Sequence, residues 1–129
     1  MYRIDYKIDE ICKKKNFKIE LKKITNNDIN HIFKVVCENG YLDVAKWIWT
    51  KYKENINIYY EWGDAFSNTC IFLKLNVLKW LWRISCGEFN IRKDDDFILK
   101  FSCNTGELET VKWLCKICKN YDYCVIYDE

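Results

Sequence analysis

Cys37, Cys70 and Cys103 stand 33 residues apart, and the Lys-Trp pairs at 46–47, 79–80 and 112–113 keep the same interval. The register extends to Leu42, Leu75 and Leu108, to Ile48, Leu81 and Leu114, and to Phe33, Phe66 and Leu99. Tryptophan and cysteine are rare residues, so three copies in one register define an internal repeat. A period of this size is one supersecondary unit, too small to bury its own apolar face. Such units must stack.

Each copy has the same internal plan. In "CENGYLDVAKWIWTKY" (37–52) the Asn39-Gly40 turn signal interrupts a helical pattern, which Leu42, Val44, Ala45, Ile48 and Trp49 resume at once. Their i, i+3, i+4 spacing is that of one helix face. A shorter apolar segment (Phe33, Val36, Cys37) precedes the turn. The spacing therefore predicts two antiparallel helices per copy, the first of about two turns and the second of about three. Gly40 and Gly106 can take the positive φ that ends the first helix without a Cβ penalty. Copy two has Leu73 at that place. Either Leu73 bears a left-handed conformation, at on the order of 1 kcal/mol, or its turn has another geometry.

"FKVVCENGYLDVAKWIW" resembles the ankyrin-repeat motif, whose period is also 33 and whose central signature is Asn-Gly-His-Leu-Glu-Val-Val-Lys; residues 39–46 read Asn-Gly-Tyr-Leu-Asp-Val-Ala-Lys. The Trp-rich "VAKWIW", "VLKWLW" and "TVKWLC" resemble the variants found in ankyrin proteins of giant DNA viruses. The resemblance covers roughly residues 30–118. It implies an all-α, ankyrin-type solenoid of stacked helix-turn-helix repeats with projecting hairpin loops. The Thr-Pro-Leu-His opening of the family is missing, replaced by His-Ile-Phe-Lys at 31–34, Asp-Ala-Phe-Ser at 64–67 and Phe-Ile-Leu-Lys at 97–100. The chain lacks that Thr and His, whose hydrogen bonds tie the first helix to its turn in the family.

The expected organisation is a single domain over 1–129: a degenerate N-terminal cap (1–29), repeats at 30–62 and 63–95, the helices of a third at 96–118, and a tail (119–129). Within the cap, "FKIELKKI" fits a helix through Phe17, Leu21 and Ile24, or an alternating strand through Phe17, Ile19 and Leu21. Both readings stay open, as does the form of the tail. The projecting loops are 53–64 and 85–96, whose Ile56-Asn57-Ile58 and Phe89-Asn90-Ile91 correspond. Aspartates 94–96 are placed to supply a capping carboxylate ahead of the next helix.

Net charge is +2 over 129 residues, too near zero to argue for nucleic acid on its own. Residues 1–25 nevertheless carry eight Lys/Arg against four Asp/Glu. The N-terminal stretch has no apolar core of a signal peptide, no run approaches a membrane span, and eight cysteines without an export signal read as reduced thiols. A soluble, intracellular, cytoplasmic domain is expected, with no membrane association. The giant-virus resemblance implies the host cytoplasm.

Catalytic constellations are not found. There is no Gly-x-x-x-x-Gly-Lys loop, and the single histidine, His31, has no paired nucleophile in the pattern. Cys115-x-x-Cys118 is one pair where a structural zinc site needs four ligands, and Cys115 holds the core place of Trp49 and Trp82. The expectation is a non-enzyme without metal or cofactor. Five of six tryptophans recur at helix-face positions, where burial explains them; Trp62 sits in a loop with Tyr59 and Tyr60. Those rings either anchor an interface or fold back onto the helices. Ile71 and Phe72 replace polar residues of the other copies and either form a contact surface or pack beneath the turn.

The function these features suggest is a monomeric protein-binding scaffold, and the resemblance implies a host protein as partner. Positions that differ between copies are the candidate contacts: Tyr59, Tyr60, Trp62, Arg92 and Lys93 at loop tips, and Lys34, Ile71 and Lys100 on first helices. Nucleic-acid association through the basic N-terminal segment is the alternative, though a solvated helix face accounts better for that lysine run.

Overall fold

The computed structural model of the chain describes residues 3–23, 25–58, 65–85 and 93–117. Among the described residues it is all-helical. The helices are α1 (Arg3–Cys12), α2 (Phe17–Lys22), α3 (Thr25–Glu38), α4 (Leu42–Tyr52), α5 (Ala65–Ile71), α6 (Leu75–Ile84), α7 (Lys93–Asn104) and α8 (Leu108–Ile117), with a 3-10 turn at Lys53–Asn55. The chain divides into two compact units, Met1–Glu88 and Phe89–Glu129. In the first, α1 and α2 pack on α3, α3 packs on α4 and α5, and α5 pairs with α6; in the second, α7 pairs with α8.

Helical spacing sets what each element buries. On α3, Ile29, Ile32, Phe33, Val36 and Cys37 are buried, the i, i+3, i+4, i+7, i+8 stripe of one face. Val44, Ala45 and Ile48 line α4; Val77, Leu78 and Leu81 line α6; Thr110, Val111 and Leu114 line α8. These are equivalent places at the 33-residue interval. Each large aliphatic side chain so buried stabilises the fold by on the order of 2 kcal/mol.

The three hairpin turns share one hydrogen-bond frame. Tyr41 N–H donates to Val36 O (3.2 Å) and Gly40 N–H to Cys37 O (3.1 Å). Lys74 and Leu73 repeat the pair with Thr69 O (3.1 Å) and Cys70 O (2.9 Å), and Glu107 and Gly106 with Ser102 O (2.9 Å) and Cys103 O (3.2 Å). This nested pair satisfies carbonyls that the end of the first helix would otherwise leave open, and it requires a left-handed residue at the apex. Gly40 has φ +80°, Gly106 φ +74° and Leu73 φ +62°. Of the two geometries open for Leu73, the structure shows the strained one: the frame is kept and the leucine bends into it.

Two copies carry a buried hydroxyl at an equivalent position, each bonded within its own helix. Buried Thr69 Oγ1 donates to Ala65 O (2.6 Å), and buried Ser102 Oγ to Ile98 O (2.8 Å), at equivalent positions. Each hydroxyl is thus satisfied by the carbonyl one turn back on its own helix.

Tryptophan rings pair with phenylalanine rings within and between the hairpins of the first unit. The Phe33–Trp49 and Phe66–Trp82 ring pairs, equivalent in register, both have centroids 6.1 Å apart. Phe33 also meets Trp80 of the next hairpin at 6.1 Å, and Phe17 meets Trp47 edge-on at 5.9 Å. Trp80 is buried, whereas Trp47, Trp49, Trp82 and Trp113 are half-buried. Amphipathic indole rings commonly keep one edge near solvent in this way.

Two local expectations are resolved. "FKIELKKI" is helical over Phe17–Lys22, because Phe17 and Leu21, one turn apart, both turn inward: Phe17 to Trp47, Leu21 into full burial. Aspartates 94–96 do not precede the helix; they fall within the span of α7, with Asp96 itself at φ +61°, a conformation that Asp tolerates better than most residues. α3 begins at Thr25, so its first turn lies ahead of residue 30, where the repeat register starts.

Candidate functional site

The three turn apices are one backbone frame carrying different side chains. Asn39-Gly40 and Thr105-Gly106 are polar and small, whereas the α5–α6 turn presents Phe72 and Leu73. Phe72 is 52% exposed and Leu73 47% exposed. Ile71, ahead of them at the end of α5, is half-buried. The sequence left open whether Phe72 forms a surface or packs beneath the turn. Phe72 is half exposed at the turn rather than buried beneath it. An adjacent pair of large apolar side chains exposed at a turn is a candidate interface anchor.

Among the described candidate residues, Lys34 and Ile71 belong to α3 and α5 of the first unit and Lys100 to α7 of the second. Tyr59, Tyr60, Trp62 and Arg92 lie outside the described residues, as does the side chain of Lys93, the first residue of α7. Lys100 is exposed on α7. Lys34 is turned into an internal network: its Nζ lies 3.0 Å from Glu38 Oε1, with the two side chains only 16% and 14% exposed. Asn68 Nδ2 donates to the same Glu38 oxygen at 2.9 Å, so the carboxylate ties α3 to α5. Lys34 thus pairs within α3, and Glu38 is the residue that reaches across to α5. Loop 53–64 begins with a similar anchor, since Asn57 N–H donates to Asn30 Oδ1 at 2.6 Å.

The apex was only partly legible. In the sequence Leu73 is a source of strain, and its register with Gly40 and Gly106 also places a leucine side chain at a turn tip. Ile19, 61% exposed on α2, gave no such signal. Its place depended on which period α2 follows.

The titratable groups do structural work. Burial pushes Cys12 up to about 12 and raises Cys37 and Cys103 above the ordinary thiol range, which keeps them protonated and poor nucleophiles. Tyr41 donates its hydroxyl to Asp9 Oδ1 at 2.6 Å, joining the α3–α4 turn to α1. That bond, ahead of the Lys13 ammonium, holds the Asp9 carboxyl below its usual range, while burial and Asp9 push Tyr41 up to about 12. An open groove of about 450 Å³ lies beside this pair, between Lys14 and Phe17 on one side and Gly40 to Val44 on the other. Its two charged side chains, Lys14 and Asp43, have opposite sign.

Cys118 of the Cys115-x-x-Cys118 pair is outside the described residues. Among the described residues no three His, Cys, Asp or Glu are grouped to hold a metal ion, and no helix is long and apolar enough to cross a membrane. No protein-family model matches the chain, and no curated protein or solved structure is found to be similar to it.

Proposed function

We propose that the protein is a non-catalytic binding scaffold of the ankyrin type, which holds a protein partner through its turn apices and loop tips. The observation that carries this reading is the α5–α6 apex. The backbone frame there is the same as in the other two hairpins, yet it carries Phe72 and a strained Leu73 in the open. Glycine at position 73 would remove the strain, so the leucine has no evident benefit to folding. A contact with another protein supplies one. The 33-residue period, the Asn-Gly-Tyr-Leu-Asp-Val-Ala-Lys signature and the all-helical hairpins support the ankyrin resemblance.

The test is affinity purification from the native cell with mass spectrometry, followed by binding of the purified partner to two variants. One joins Phe72→Ser to Leu73→Gly; the other replaces Tyr59, Tyr60 and Trp62 together by alanine. Loss of binding in either, with folding intact, supports the reading. A partner that holds both variants as tightly as the parent removes apices and loop tips from it. Nucleic-acid association through the N-terminal segment is the second reading, favoured by the exposed lysines of residues 13–23. It requires binding that weakens steeply with salt and is lost on deleting residues 1–25.

A further inference from the structure

The bend between α1 and α2, together with α2 itself, carries Lys13, Lys14, Lys15, Lys18, Lys22 and Lys23, all exposed, against one acidic residue, Glu20. Two of these lysines are paired, Lys13 with Asp9 at 3.2 Å and Lys23 with Glu20 at 3.7 Å. Among the described residues Lys14, Lys15, Lys18 and Lys22 have no carboxylate partner. Amid them stands Ile19, the most exposed large apolar side chain among the described residues, at 61%. Lys22 and Lys23 follow it by three and four positions and so lie on its face of the helix, while Lys15 and Lys18 flank it on the N-terminal side.

We infer that this face docks an acidic polypeptide segment, with Ile19 as the apolar centre and the lysines as the charged rim. An apolar centre within a polar, charged rim is the anatomy of a protein contact. Unpaired lysines attract and orient an acidic partner during encounter. The same surface suits nucleic acid less well. A phosphate backbone offers Ile19 no apolar acceptor, and the one aromatic ring of α2, Phe17, is spent edge-on against Trp47 and cannot stack on a base. It also suits a bilayer less well. A helix lying in a membrane inserts a whole apolar face, whereas Phe17 and Leu21 point into the fold here and leave Ile19 alone outside. The inference rests on the protein-binding reading but adds a second contact, on α2 and the bend before it, to that of the α5–α6 apex.

The experiment is selection of a random 12-residue peptide library on the full-length protein, followed by fluorescence anisotropy of the enriched peptides. The expected peptides carry several Asp or Glu around one apolar residue. Their affinity falls by about 30-fold in Ile19→Asp and by a similar factor in the combined Lys15→Glu, Lys18→Glu, Lys22→Glu variant. Raised salt weakens them, and the Phe72→Ser, Leu73→Gly variant binds them unchanged. Circular dichroism and the unfolding midpoint show whether each variant remains folded, and Ile19→Ser serves if Ile19→Asp does not. Peptides without acidic enrichment, or lost only in the apex variant, overturn the inference and leave the scaffold reading standing. Tighter binding of duplex DNA, or of vesicles containing phosphatidylserine, than of any peptide overturns it in favour of those partners. Selection that yields no peptide for either face counts against both readings.

Discussion

Lys74 lies across Gly40. A Cβ added to that glycine would come within 2.8 Å of Lys74 Cδ and 3.3 Å of Cε, so the stem of one hairpin's lysine covers the apex of the preceding turn. Gly106 is equivalent in the third hairpin and has nothing within 4 Å of such a Cβ. Both glycines have positive φ, so alanine at either carries a backbone penalty of about 1 kcal/mol. Gly40→Ala is expected to destabilise by more than Gly106→Ala, and Lys74→Ala to return part of the excess. Urea unfolding of the single and double variants measures that coupling. Equal effects at the two glycines would show that Lys74 does not rest on the turn.

Glu38 is the hub between α3 and α5, accepting from Asn68 and pairing with Lys34. Glu38→Ala leaves a mostly covered ammonium and amide without their acceptor, and is expected to lower stability by about 2 kcal/mol. Glu38→Gln keeps an acceptor for Asn68 and is expected to fall between the parent and Glu38→Ala. Denaturant midpoints order the three proteins, and identical midpoints would leave the network without structural weight.

The Tyr41–Asp9 bond couples stability to pH at both ends of the scale. Asp9 has a lowered carboxyl pKa, so its contribution is present above the unfolded value of about 3.8 and is lost as pH falls through the lower folded value. Tyr41 is raised from 10.0 to about 12, so its contribution is present below 10 and is lost as pH rises between those values. Tyr41→Phe is expected to cost about 1 kcal/mol at neutral pH and to flatten both slopes. Unfolding free energy measured from pH 3 to 7 and from 9 to 12 provides the check. A variant with the parent's slopes would assign them to other groups.

Much of the fold could be read from spacing alone. The interval linking Phe33 to Phe66 and Leu99, and Ile48 to Leu81 and Leu114, marks residues that are all buried. Burial at fixed helical offsets leaves a periodic trace in sequence. Gly40 and Gly106 announced their turns for the same reason: the residue type answers a backbone demand. Leu73 could not be settled in that way, because a leucine reaches left-handed φ only when the surrounding bonds hold it there. The sequence does not display those bonds. Lys34 illustrates the other limit. Its variation between copies suggests an open surface, but its environment comes from Glu38 and, through Glu38, from Asn68 on another helix. Over the short span of α2, helix and strand periods coincide at Phe17 and Leu21. Packing against Trp47 and the core decided between them.

The apolar apex is the centre of the functional account, and Leu73→Gly probes it most directly. The substitution relieves the left-handed strain and deletes a side chain that is about half exposed. The free energy of unfolding, measured by denaturant titration beside retention of the purified partner, is expected to rise by about 1 kcal/mol while retention falls. A variant that is less stable than the parent, or that holds the partner undiminished, would contradict the account.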